Sequence, residues 1–132
     1  MFRKRRSVET AEAVPAPVPG APPTSSAGQA IEDANLLELT QSGYTVVDFW
    51  TAWCGPCRSF APVFAAVATA QSGPVRFGAC DVDANPRVAQ LLGIRSIPTL
   101  VEIGPDGSEV GRSTGSVSRG DLEATVAQLS AR

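Results

Sequence analysis

Two cysteines separated by two residues carry the sharpest chemical signal in this chain. Cys54 and Cys57 lie in the segment Trp-Cys-Gly-Pro-Cys (53–57), where a buried strand is expected to turn into a helix. Helix positions i and i+3 lie about 5–6 Å apart at Cβ, close to the separation that a disulfide requires. Free N–H groups and the dipole at the start of a helix favour a thiolate at Cys54. The spacing therefore predicts a redox-active pair that forms and breaks its disulfide with little backbone motion.

A structural disulfide and half of a metal site are the alternatives for this pair. A disulfide that closes so short a loop constrains the unfolded chain very little. A zinc site needs four ligands, and the chain has three cysteines and no histidine, so only a cluster shared between two subunits stays open. We therefore expect no metal. The absence of histidine also excludes Ser-His-Asp and Cys-His nucleophilic catalysis.

A second candidate for chemistry is Asp48, which lies in the middle of the apolar, β-branched and aromatic segment 44–50. Burying an ionised carboxylate is costly, and the usual result is a raised pKa that suits proton transfer near neutral pH. The alternative is that Asp48 only accepts a hydrogen bond from a nearby backbone group. We favour the functional interpretation, because the flanking residues Val47 and Phe49 predict a buried position.

Composition indicates one soluble globular domain with an added tail. The 132 residues are 43% hydrophobic and carry a formal charge of −2, which disfavours nucleic acid as a partner, and no apolar segment reaches the ~20 residues of a membrane span. Residues 1–28 are basic at the start and then rich in proline and alanine, so we expect a disordered tail before a folded domain at 29–132. The basic start lacks the apolar segment of a secretion signal, so we expect a cytoplasmic location.

The folded part alternates between strand-like and helix-like segments. Their order predicts one mixed sheet with helices on both faces. A weak candidate for one more strand is Gln29-Ala30-Ile31. The predicted elements are a short helix at 34–40, a strand at 44–50, a helix at 56–71 kinked by Pro62, a strand at 75–80, a helix from Asn85-Pro86 to Gly93, strands at 99–103 and 108–112 joined by a Gly104–Gly107 turn, and a last helix opened by a capping box of Ser118 and Asp121.

Residues 48–58, Asp-Phe-Trp-Thr-Ala-Trp-Cys-Gly-Pro-Cys-Arg, resemble the active-site segment of the thioredoxin family. Further blocks match in order at 81–86, at 93–100 and at Gly115, and Pro62 is similar to the family's helix-kinking proline. The resemblance covers about residues 34–132 and leaves the tail unexplained. It implies the thioredoxin fold, an α/β fold with a mixed central sheet of four to five strands and helices on both faces.

The resemblance also implies a role for each matching residue. Cys54 is expected to be the attacking thiolate, Cys57 the resolving thiol and Asp48 the group that moves the proton of Cys57. Taken alone, Trp53 and Ile97 are equally consistent with core packing. The surface that receives a partner protein is expected to consist of Trp53, Gly55, Pro56, Ile97, Pro98 and Gly115, with Pro98 in the cis form.

The implied function is the reduction of disulfides in substrate proteins by dithiol–disulfide exchange. No cofactor is expected, electrons are expected from an NADPH-dependent thioredoxin reductase, and the chain is expected to be a monomer. A binding module that does not turn over electrons, and a reductase tethered through its tail, are the alternatives. The chain departs from many family members at Ala79, where they carry a lysine, and the neighbouring Cys80 is expected to pack in the core rather than to act as a regulatory thiol.

Overall fold

The computed structural model describes the backbone at residues 29–30 and the chain at 43–71 and 73–132. The predicted tail at 1–28 and the predicted short helix at 34–40 lie outside the described residues. The predicted elements in the rest of the chain are confirmed, with boundaries that move by one or two residues.

In the described part of the chain five strands form one sheet, and the sheet is mixed, as the order of the segments predicts. In chain order they are β1 (Gln29–Ala30), β2 (Thr45–Trp50), β3 (Arg76–Asp81), β4 (Thr99–Ile103) and β5 (Glu109–Thr114). Their order in the sheet is β1-β3-β2-β4-β5, with parallel pairs β1–β3 and β2–β3 and antiparallel pairs β2–β4 and β4–β5. The weakly marked first strand is therefore present, and it pairs along the outer edge of β3.

Three helices in the described part connect and cover these strands. They are α1 (Gly55–Ala70), α2 (Pro86–Leu91) and α3 (Arg119–Ser130), and α1 continues through Pro62. The predicted cap of α3 is confirmed, since the Ser118 hydroxyl accepts the backbone N–H of Asp121 at 3.0 Å. Asn85 occupies the cap position of α2, but its side-chain amide donates to the Asp81 carbonyl at 3.2 Å instead of capping the helix.

Apolar side chains fill both faces of the sheet, because successive residues of a strand point to opposite sides. On one face Val46 and Leu100 pack against α1 and α3, with the ring of Phe64 lying 5.4 Å from that of Phe77. On the other face Cys80 is fully buried beside Val47 and Phe49, together with Val88 of α2, so its predicted place in the core is confirmed. Asp48 shares the parity of Val46 and therefore lies on the face that α1 covers.

Candidate redox site

The two site cysteines are joined by a disulfide at the start of α1, with their Cα atoms 5.2 Å apart. Cys54 is the N-cap residue of this helix, and its sulfur accepts the backbone N–H of Cys57 at 3.1 Å. Pro56 lies in the first turn, where its missing N–H removes no helical hydrogen bond. When the disulfide is reduced, a thiolate at Cys54 therefore has an amide donor and the positive end of the helix dipole beside it.

Both site cysteines are buried in the disulfide form. Cys57 is 1% exposed and Cys54 is 5% exposed in the disulfide form. Both pack in a small apolar cluster with Trp50 and Ala79, against which Ile97 also packs. This apolar cluster lies on the sheet side of the disulfide.

Asp48 lies fully buried in β2, with Ala79 of β3 as its cross-strand neighbour on one side and Leu100 of β4 on the other. Among the residues that the structure describes, none hydrogen-bonds either carboxylate oxygen. The alternative, a hydrogen bond from a nearby backbone group, is not seen among the described residues. Burial alone raises the pKa of Asp48 from 3.8 to about 7. Ala79 belongs to the same apolar cluster as both cysteines, so the cross-strand neighbour of Asp48 is part of that cluster.

The loop between α2 and β4 faces the disulfide and brings its own backbone to the sulfur. The Ile97–Pro98 peptide bond is cis, as the resemblance implies, and the Ile97 carbonyl oxygen lies 3.8 Å from the sulfur of Cys54. Gly115 donates its N–H to the Pro98 carbonyl at 2.8 Å and adopts a φ of +87°, in the region that favours glycine. The Thr99 hydroxyl donates to the Ser96 carbonyl at 2.6 Å. The start of α1, the cis-proline loop and Gly115 are distant in sequence, and they thus meet around one disulfide.

Trp53 forms the exposed rim of the site and does not belong to the core. Its side chain is 69% exposed, and its indole N–H donates to the Asp83 carboxylate at 2.8 Å. Asp83 is a site residue that the sequence did not single out, although it lies within the matching block at 81–86. A groove of about 500 Å³ runs beside this rim, and its lining includes Trp53, Pro86, Gln90, Ile94, Arg95 and Ile97.

The residues predicted for the site therefore lie in or just before the first turn of α1, on the cis-proline loop and at Gly115, which binds that loop, while Asp48 adjoins the cysteine cluster through Ala79. Within the described ranges, no three Cys, Asp or Glu side chains are grouped so that they could hold a metal ion. The helices of that same part are each too short or too polar to cross a membrane.

Comparisons with known proteins agree with this arrangement. A thioredoxin family profile matches residues 30–128. Thioredoxin 1 of Synechococcus elongatus is 42% identical over 103 residues, which cover 76% of this chain and 95% of that protein. Thioredoxin of Chlamydia muridarum is 42% identical over 87 residues, covering 66% and 83%. A solved thioredoxin of Malassezia sympodialis superposes with a TM-score of 0.70 at 32% identity, covering 80% of this chain and 92% of that one.

A mixed sheet that carries a disulfide at a helix N-terminus, opposite a cis-proline loop, defines a thiol–disulfide oxidoreductase. The profile match extends over most of the chain, and the matches to these relatives cover 83–95% of their own length. The chain belongs to the thioredoxin family, and it reduces disulfides through a redox-active cysteine pair, Cys54 and Cys57.

Proposed function

We propose that the two cysteines divide the reduction of a substrate protein into two steps. In the first step the Cys54 thiolate attacks one sulfur of the substrate disulfide, that bond breaks, and the leaving thiolate takes a proton from solvent. In the second step the Cys57 thiolate attacks the Cys54 sulfur, the mixed disulfide breaks, and the substrate leaves with two electrons. The observation that carries this assignment is the 3.1 Å hydrogen bond from the Cys57 amide to the Cys54 sulfur, which favours a thiolate on Cys54.

Asp48 is the proposed acceptor of the Cys57 proton. Its burial without a partner among the described residues and its pKa of about 7 support this role, because such a carboxyl is part ionised at neutral pH. Ala79 is its cross-strand neighbour, and among the described residues no ammonium opposes the rise in pKa that burial causes. Asp48 consequently loses its proton at a higher pH than the same carboxyl would with a lysine beside it.

The proposed docking surface for the substrate protein surrounds Cys54. Exposed Trp53 supplies an apolar contact, and the cis-proline loop presents the Ile97 carbonyl to an incoming backbone. Gly55 and Pro56 on the helix side and Pro98 and Gly115 on the loop side complete the surface. Small or ring-closed residues at these positions let the backbone of a partner come close to the sulfur.

Electrons are proposed to come from an NADPH-dependent thioredoxin reductase, because the cysteine pair can store two electrons but has no source of its own. We assign the activity to residues 29–132 of a cytoplasmic monomer that holds no cofactor and binds no nucleic acid. Residues 1–28 are proposed to be dispensable for it.

The test is insulin reduction with NADPH and thioredoxin reductase, followed by NADPH absorbance and insulin turbidity. Wild type is expected to turn over repeatedly, and Cys57→Ser is expected to stop after forming one mixed disulfide. A wild-type protein that binds insulin but consumes no NADPH would show a binding module and overturn the proposal.

A further inference from the structure

Arg112 links the edge strand β5 to the end of helix α2. Its guanidinium Nη2 donates to the Leu92 carbonyl at 2.5 Å, and Nη1 lies 3.5 Å from the Gly93 carbonyl. Glu109, three residues earlier on the same strand, accepts from Nε and Nη2 at 2.6 Å each. The hydrogen bond from Arg112 lowers the pKa of Glu109, so the carboxylate that orients the guanidinium is charged at neutral pH. Arg112 is thus fixed on one side and reaches across to the helix on the other.

The carbonyls that Arg112 binds are those that the end of α2 leaves without partners inside the helix. The N–H of Ile94 donates to Ala89 and that of Gly93 donates to Gln90, while Gly93 adopts a φ of +65°. This pattern is the Schellman motif, which uses the carbonyls of the last helical turn but not those of Leu92 and Gly93. A guanidinium at a helix C-terminus satisfies such carbonyls and also matches the negative end of the helix dipole.

The segment that begins at these carbonyls is the loop that faces the disulfide. Four residues after Gly93 the chain reaches Ile97, whose carbonyl lies beside the Cys54 sulfur. The other end of the loop is held by the bond from Gly115, directly after β5, to the Pro98 carbonyl. Arg112 of β5 therefore binds the start of the loop, and Gly115, directly after β5, binds its end.

We propose that Arg112, oriented by Glu109, is a positioning residue that sets the loop from Leu92 to Pro98 for docking of a protein substrate. The inference rests on the proposed docking surface. Arg112 does not line the groove itself, but it binds the carbonyl of Gly93, which lines that groove together with Ile94 and Ile97. Removing the Arg112 side chain should make the loop from Leu92 to Pro98 more mobile while leaving the reactivity of the disulfide pair intact.

The experiment compares a protein disulfide with a small one. With insulin, Arg112→Ala should raise KM about tenfold at unchanged kcat, equal to about 1.4 kcal/mol of lost binding, which is near the lower end of the range for one hydrogen bond to a charged group. With dithiobis(nitrobenzoic acid), which does not need the loop, the rate should stay within about twofold of wild type. Hydrogen exchange at the Ile94 amide should become faster.

Arg119→Ala is the matched control, because Arg119 also pairs with a glutamate, Glu123, at 3.1 Å but lies on α3. It should leave KM with insulin unchanged. If Arg112→Ala does not fold, Glu109→Gln tests the same interaction. This variant keeps Arg112 but weakens the ion pair that orients it, so it should also raise KM with insulin.

An unchanged KM in the folded variant, an equal slowing with both disulfides, or an equal effect of Arg119→Ala would each overturn the inference. A wild-type protein that does not reduce insulin at all would instead overturn the proposed function. The two failures are therefore distinguishable in one set of measurements.

Discussion

Replacing the buried carboxyl with an amide, Asp48→Asn, should make the fold more stable at neutral pH while slowing the second step of the reaction. The folded pKa of Asp48, about 7, lies above its ordinary value of 3.8 because of burial. The unfolded chain therefore loses this proton first as pH rises, and the wild-type free energy of unfolding falls between about pH 4 and about pH 7. Asparagine carries no charge, so the free energy of unfolding of the variant does not fall for this reason.

The size of the effect follows from the same pKa values. The difference between 3.8 and about 7 corresponds to about 4 kcal/mol at about 1.36 kcal/mol per pKa unit. Below about pH 4, where Asp48 is neutral in both states, the two proteins should be nearly equal in stability. At pH 8 the variant should be about 2–4 kcal/mol more stable, since its amide and the neutral acid share a similar cost of burial without a partner.

Urea melts of the oxidised protein from pH 4 to pH 8 provide the measurement, because the disulfide keeps both site thiols from titrating. Asp106→Asn is a control of opposite sign. Hydrogen bonds from Ser108 lower the pKa of Asp106, so its removal should reduce stability at neutral pH. A stability difference for Asp48→Asn that does not grow with pH, or a variant less stable than wild type at pH 8, would refute the argument.

Three other perturbations test the site and the chain around it. Cys57→Ser should trap mixed disulfides with substrate proteins and Cys54→Ser should trap few, as gels of the captured complexes would reveal; equal trapping would contradict the division of roles. Ala79→Lys places an ammonium beside Asp48 and should shift the rising limb of the reductase pH profile to lower pH, whereas Ala79→Met, with similar bulk and no charge, should leave its position unchanged. Deleting residues 1–28 should leave the melting temperature and the insulin reduction rate nearly unchanged, and a large loss of either would assign the tail a part in the fold.

Local features of the fold were predictable because their causes lie within a few residues. The Gly104–Gly107 turn closes with a 2.9 Å hydrogen bond between its ends, and Gly107 adopts a φ of +84°. The Ser118 cap likewise needs only the residue three positions later. Element bounds moved by one or two residues, because the last turn of a helix or strand depends on neighbours that a local pattern does not specify.

The first strand shows where local pattern is insufficient. In the described part of the chain, this strand has two residues in the ladder, Gln29 and Ala30, opposite Gly78 and Ala79. Two residues carry no periodicity, so pairing with an existing strand supplies the hydrogen bonds that define this element. Local sequence could not decide whether Trp53 is exposed, because an aromatic residue suits a core as well as the rim of a site. Its hydrogen-bond partner, Asp83, lies 30 positions away.

The sequence by itself determined the chemistry of this protein. Cys54 and Cys57 are three residues apart at a helix start, so the backbone of that one turn sets their distance and supplies the amide that favours the thiolate. Tertiary structure decided which residues from other parts of the chain lie beside the cysteine pair. The Ile97 carbonyl reaches the Cys54 sulfur across 43 positions, and β-strand register sets Ala79 beside Asp48. No local rule fixes these separations, because they arise from sheet pairing and the packing of buried side chains on both of its faces.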